Sequence, residues 1–269
     1  MCYHEQGMNK KVYASIFGLV ITIAFPAAAI SKHSPLVQIM AAAKATVMIK
    51  AESGGVYGGG SQAFLDPKSG RIIQVRSIKP IYHKREGVGV IVDASGIIVT
   101  MAHTVKEAGR ITVTLHDETE VIASVAHMIP ERDLAFLHVD PPDELSSIPI
   151  AESNEVRIGA EVYSIGGSQL LSNTIIGGRI KAVGKSKRLR QLNRDLVDLL
   201  QIDFDVYRGD SGSPILDDSG KLLGLILGGE VHAEKSTFAI PSHFIREHLQ
   251  EYQAQSKRKS PVAMSEYSA

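Results

Sequence analysis

The sequence predicts an all-β fold of two six-stranded antiparallel β-barrels closed by a C-terminal helix, and three observations carry that prediction. Short β-branched and aliphatic runs recur from residue 89 to residue 240, each bounded by Gly, Pro, Asp or Ser, the pattern of packed strands. Between the first of these runs and residues 243–253, hardly any stretch has helical periodicity. The runs also fall into two sets separated near Pro141-Pro142, and short strands at regular spacing read as barrels or sandwiches.

The 269 residues, 44% hydrophobic and 22% charged, suit one large domain or two small ones. The 29 basic and 29 acidic side chains cancel, so no charge argument points to a nucleic-acid partner. Cys2 is the single cysteine, which rules out an intrachain disulfide or a thiolate cluster. The histidines show no metal-ligand spacing, so a metal mechanism is not expected.

Taken in order, Lys10-Lys11, the apolar run 12–25 and Pro26-Ala27-Ala28-Ala29 make residues 1–29 a signal peptide, with a membrane anchor as the alternative. The run falls short of the ~20 residues a spanning helix needs. The first barrel is assigned to residues 30–140. Ser34-Pro35 reads as an N-cap and a first helical proline, opening a short amphipathic helix to about Lys44. A strand over 46–51 comes next. Residues 53–87 are broken by Gly54-Gly55, Gly58-Gly59-Gly60 and Lys68-Ser69-Gly70, and predict a long flexible loop with at most a hairpin over 72–78. Its role as lid, assembly element or disordered segment is left open.

Strands are then expected at 89–92, 97–100, 111–115, 121–129 and 134–139, the first two joined by the turn Asp93-Ala94-Ser95-Gly96. The second barrel, residues 141–254, takes strands at 148–151, 162–165, 175–183, 199–204, 214–216, 222–227 and 237–240, then the helix 243–253. Residues 255–269, polar with Lys257-Arg258-Lys259, read as a disordered tail.

Chemistry concentrates in Arg208-Gly209-Asp210-Ser211-Gly212-Ser213-Pro214. Asp, Ser, Gly and Pro also make ordinary turns, as in Asp217-Asp218-Ser219-Gly220. This loop differs in lying between core strands, where catalytic groups are commonly held. A serine hydroxyl attacks a carbonyl only with a base beside it and donors facing the oxyanion. The glycines at 209 and 212 let the N–H groups of Gly209 and Ser211 turn into one space. The best-placed base is His103, in Thr100-Met101-Ala102-His103 just past an apolar strand. Asp133, at the mouth of Leu134-Ala135-Phe136-Leu137, is the carboxylate placed to orient it.

These three motifs, in that chain order, resemble the chymotrypsin/trypsin-like serine proteases, and within them the HtrA/Deg envelope proteases. The finer resemblance is carried by Gly87-Val88-Gly89-Val90-Ile91-Val92, Gly159-Ala160-Glu161-Val162-Tyr163-Ser164-Ile165-Gly166, Gly178-Arg179-Ile180 and Leu200-Gln201-Ile202-Asp203. It implies Ser211 as nucleophile, His103 as general base and then acid, Asp133 as its orienting acid, and an oxyanion hole from Gly209, Asp210 and Ser211. The implied reaction is hydrolysis of proteins or peptides through an acyl-enzyme, with no metal or organic cofactor. For the S1 pocket it implies Asp205 at the base, favouring Arg or Lys at P1, with Leu227 and Gly228 on the wall. The alternatives are an Asp205 that makes a structural salt bridge or faces water, and an apolar pocket lined by Leu225, Ile226 and Leu227. Two departures stand out: Asp210 where the family has Asn, and residues 251–269, too few for a PDZ domain. The resemblance also implies a periplasmic or secreted protein, inner-membrane anchored if residues 1–29 stay attached, and a possible homotrimer. The rival from another class is a catalytically idle binding or chaperone-like protein on the same fold.

Overall fold

The computed structural model describes residues 34–259 except 67, 141–143, 153–155, 167–173, 190–193 and 230–235; for 55–65, 73–82, 189, 194 and 257–259 it describes the backbone alone. The segment read as a signal peptide or anchor lies outside the described residues. Among the described residues no helix is long and apolar enough to cross a membrane.

Helix α1 (Pro35–Ala43) begins as its Ser-Pro start predicts, with Ser34 extended and Pro35 in the first turn. It turns Ile39 and Ala42 inward. β1 (Thr46–Leu65) and β2 (Ile72–Asp93) then pair antiparallel along almost their whole length, from Thr46↔Val90 to Leu65↔Ile72. This corrects the expectation of a flexible loop over 53–87. Ladder pairing needs only main-chain donors and acceptors, so a glycine-rich segment without apolar alternation can still be a strand. The glycines leave one trace, a register shift between Gly58 and Ser61. At the tip the breaker signal does make a turn: Asp66 Oδ1 accepts the Lys68 N–H at 3.1 Å and Gly70 adopts φ 65°.

β3 (Ile97–Met101), β4 (Arg110–Thr114), β5 (Glu120–Ile129) and β6 (Leu134–Val139) complete a closed barrel in the order β1-β2-β3-β6-β5-β4. β7 (Glu161–Gly166), β8 (Thr174–Leu189), β9 (Arg194–Ile202), β10 (Pro214–Leu216), β11 (Leu222–Gly229) and β12 (Thr237–Pro241) form a second, ordered β10-β11-β12-β9-β8-β7. The expected strand 148–151 contributes only a parallel bridge between Ile150 and Leu222. Pro149, which has no N–H to offer a ladder, explains the shortfall.

Val47, Ile49, Val90, Ile98, Val113 and Phe136 are buried in the first core; Val162, Ile180, Leu200, Ile202, Ile215 and Ile226 are buried in the second. Each such side chain contributes about 1.5–3 kcal/mol relative to exposure. β3 and β12 are buried at every residue, and β11 through Leu227, so both faces of these strands are covered and their sequences are continuously apolar rather than alternating. The loops leaving their ends are thereby anchored on rigid elements. Helix α3 (Ser242–Lys259) runs further than the expected 243–253 and takes in residues 255–259 of the segment expected to be disordered. No breaker intervenes before Pro261 in the sequence. Tyr252 also fastens the helix to the first barrel, its ring centroid 6.4 Å from that of Phe136.

Candidate active site

Strand register brings the first two candidate residues together. Met101 at the end of β3 pairs with Leu134 at the start of β6, so the residues just beyond those ends must meet. His103 lies in α2 (Ala102–Val105), the turn directly after β3. Asp133 closes the 3-10 turn Pro130–Arg132 with φ 56°, a left-handed conformation that Asp tolerates better than most side chains. The Ala102 N–H donates to the Asp133 carbonyl at 2.8 Å.

The Asp133 carboxylate is fully buried and accepts twice from His103: Oδ1 from the backbone N–H at 2.8 Å, and Oδ2 from ring Nδ1 at 2.6 Å. An ionised carboxylate only accepts, so Nδ1 is the protonated ring nitrogen and Nε2 is left as the basic one. The His103 side chain is 28% exposed against 0% for Asp133. The pair is therefore dry at its acid end and open at the imidazole.

Ser211 sits in the connection between β9 and β10, fastened from both barrels. Gly212 N–H donates to Ile226 O at 2.8 Å and Ile226 N–H to Ser213 O at 2.9 Å. From the first barrel, Val88 N–H on β2 donates to Ser211 O at 2.9 Å. Gly212 has φ 89°, and a Cβ there would lie 2.0 Å from Val88 O. Glycine is required at this position on both counts.

Among the described residues, Ser211 Oγ makes no hydrogen bond to His103; it donates to Leu227 O at a long 3.5 Å. The N–H groups of Gly209 and Ser211 likewise meet no acceptor among the described residues. Asp210 corrects the expected oxyanion set, because its N–H is engaged with Tyr207 O at 3.1 Å. Its buried carboxylate folds back within the same turn, Oδ2 accepting the Tyr207 N–H at 2.7 Å, while Oδ1 has no partner among the described residues.

Of the S1 candidates, Leu227 is buried and Gly228 takes φ 147°. Asp205 occupies an exposed position, in keeping with the alternative in which it faces water or a salt-bridge partner. Its neighbour Val206 is the residue against the strand, with Cγ2 3.1 Å from where a Gly229 Cβ would stand. A carboxylate is costly to bury, which favours the exposed position.

Sequence reasoning missed the role of β2 itself. A Cβ on Gly87 would lie 3.0 Å from Ser211 O and 2.9 Å from Thr104 Cγ2, so one strand passes between the His103 turn and the Ser211 loop. Thr100 Oγ1 ties β3 to it by donating to Val88 O at 2.7 Å. The motif Gly87-Val88-Gly89 was the available signal; its close backbone approach to both loops was not.

Comparison with known proteins identifies the family. Residues 87–225 match the family model described as a trypsin-like peptidase domain. The chain is 34% identical over 140 residues to Protease Do-like 1, chloroplastic, of Arabidopsis thaliana, an alignment covering 52% of this chain and 32% of that protein. It is 33% identical over 165 residues to the periplasmic pH-dependent serine endoprotease DegQ of Escherichia coli, covering 60% of this chain and 35% of DegQ. It thus spans about a third of the length of these curated relatives. Among solved structures, the HtrA-type protease AlgW with a tripeptide superposes with a TM-score of 0.63 at 25% identity, covering 81% of this chain and 63% of that one. The family model covers more than half of the residues: the chain belongs to the trypsin-like peptidase family.

Proposed function

We propose that this chain is an exported serine endopeptidase of the HtrA type that hydrolyses peptide bonds in proteins through Ser211, His103 and Asp133. The observation that carries the reading is the doubly bonded His103–Asp133 pair standing beside the strand that also holds the Ser211 carbonyl. His103 Nε2 takes the Ser211 proton as Oγ attacks the scissile carbonyl. Asp133 stabilises the imidazolium that forms, and the proton then passes to the leaving amine. The N–H groups of Gly209 and Ser211 receive the developing oxyanion. Water repeats the attack on the acyl-enzyme and frees Ser211.

An apolar S1 wall of Val206 and Leu227 supports preference for a small or medium apolar P1 residue over Arg or Lys. A P1-varied peptide set reads this directly, and faster cleavage after Arg or Lys would return the selectivity to Asp205. Export to the bacterial envelope is supported by the basic-apolar-small pattern of residues 1–29 and by the periplasmic location in the DegQ name. A homotrimer belongs to the same reading, and the sedimentation velocity of the mature chain tests it.

One observation favours a second reading, a binding or chaperone-like protein: the Ser211 hydroxyl points its hydrogen bond at Leu227 O, not at His103. Hydrolysis of a denatured protein substrate by the wild-type chain, lost in Ser211→Ala, separates the two. Binding of that substrate with equal fates in both chains is the outcome of the second reading.

A further inference from the structure

β2 carries a half-buried arginine, Arg85, whose guanidinium reaches across to the turn that bears His103. Nη1 donates to His103 O at 3.0 Å and Nη2 to Lys106 O at 2.5 Å. α2 is only four residues long, with Lys106 N–H to Ala102 O as its capping bond, so its remaining carbonyls need outside donors. A guanidinium suits that need because its planar fork can hold two carbonyls in fixed geometry, whereas an ammonium is a point donor.

The contact gains significance from the next residues of the same strand. Gly87 packs against Thr104 of the His103 turn and against Ser211 O, and Val88 N–H donates to Ser211 O. Residues 85–88 therefore touch the turn of the base and the loop of the nucleophile within a single stretch of backbone. That stretch is itself held by the ladder, with Ala51 opposite Arg85 and Met48 opposite Val88. The imidazole is fixed from the far side by Asp133; from the near side, its turn is fixed by Arg85.

We propose that Arg85 is a positioning residue, which sets the His103 imidazole at its working distance from Ser211 by capping the carbonyls of His103 and Lys106. It acts through His103 and contacts no reacting atom. The kinetic half of this inference rests on the peptidase reading. The structural half, that Arg85 steadies the His103–Asp133 pair, stands apart from it.

The test compares wild type, Arg85→Ala and Arg85→Lys by four measurements: kcat and KM on a chromogenic peptide, titration of reactive serines with a fluorophosphonate, thermal midpoint, and the low-field proton resonance of the 2.6 Å His103–Asp133 bond. Arg85→Ala should lower kcat per titrated site about tenfold, the scale of one lost charge-assisted hydrogen bond, with KM changed less than about twofold. The low-field proton should broaden in the same variant. Arg85→Lys should recover part of each effect. Wild-type kcat with an unchanged low-field proton in Arg85→Ala overturns the proposal. So does a rate loss accounted for wholly by fewer titratable sites, with Arg85→Lys no better than Arg85→Ala. A wild-type chain that neither labels nor cleaves, yet loses its low-field proton in Arg85→Ala, refutes the peptidase reading and supports the positioning of His103 by Arg85.

Discussion

Replacing Gly212 by alanine is the perturbation whose size the structure fixes most tightly. The added Cβ would stand 2.0 Å from Val88 O and 3.1 Å from Thr100 Oγ1, whereas carbon–oxygen contacts settle at about 3.3–3.6 Å. The loop must retreat from β2 by more than an ångström. Two hydrogen bonds are at stake, Val88 N–H to Ser211 O at 2.9 Å and Gly212 N–H to Ile226 O at 2.8 Å, each worth about 0.5–1.5 kcal/mol net. Holding alanine at φ 89° adds about 1–2 kcal/mol. The total, about 2–5 kcal/mol, sits within the 5–15 kcal/mol of a typical domain, so the chain should stay folded with a lowered thermal midpoint. Ser211 itself is displaced, and a misplacement of that size costs about a hundredfold in rate.

The assay is the second-order rate of fluorophosphonate labelling alongside the thermal midpoint. Gly159→Ala is the control, since Gly159 has φ 84° and nothing within 4 Å of its Cβ position; it should lose about 1–2 kcal/mol by backbone strain alone. Gly212→Ala that labels at the wild-type rate, or loses no more stability than Gly159→Ala, would show that β2 does not fix the Ser211 loop.

Asp133→Asn should leave the fold intact, because Asn also accepts the left-handed φ of 56°. It should lower kcat by about 10³–10⁴, since the amide no longer enforces the Nδ1–H tautomer; steady-state kinetics together with circular dichroism checks both. Asp210→Asn should raise the thermal midpoint. It removes a buried charge whose Oδ1 lacks a partner among the described residues, and a neutral amide is less costly to bury than an unpaired charge, while keeping an acceptor for Tyr207 N–H. A lowered midpoint would contradict it. The Asp93 carboxyl is held below the ordinary carboxylate range first by the Ser95 hydroxyl, then by the Ser95 N–H, with Gln253 adding to it. The folded state thus binds fewer protons than the unfolded chain, so this contribution is full above about pH 4 and lost as pH falls through the lower folded value. Asp93→Asn should melt below wild type at pH 6, and the gap should close in stronger acid.

The site was legible where chemistry sits at the ends of apolar strands. Thr100-Met101-Ala102-His103 closes β3 and Asp133 opens β6, so a correct reading of two strands also placed the pair. The Ser211 loop emerged in the same way from the apolar runs on either side. The hairpin of β1 and β2 was not legible, since its pairing is made by main-chain groups that leave no periodic trace among so many glycines. Arg85 was hidden for the same reason: it falls in the aperiodic stretch, and its partners are carbonyls, which every residue has. Asp210 was misread as an oxyanion donor because glycine content marks where a backbone can turn, not which N–H the turn consumes. The outward position of Asp205 and the inward one of Val206 depend on the local twist of an irregular connection, which neighbouring residue types do not encode.

Activation of Ser211 by the His103–Asp133 pair is read out by fluorophosphonate labelling of the purified protein beside Ser211→Ala and His103→Ala. An activated Ser211 gives stoichiometric labelling of the wild type, none of Ser211→Ala, and labelling of His103→Ala slowed by orders of magnitude. A folded wild-type chain that takes no label, or a His103→Ala chain that labels as fast as wild type, would contradict it.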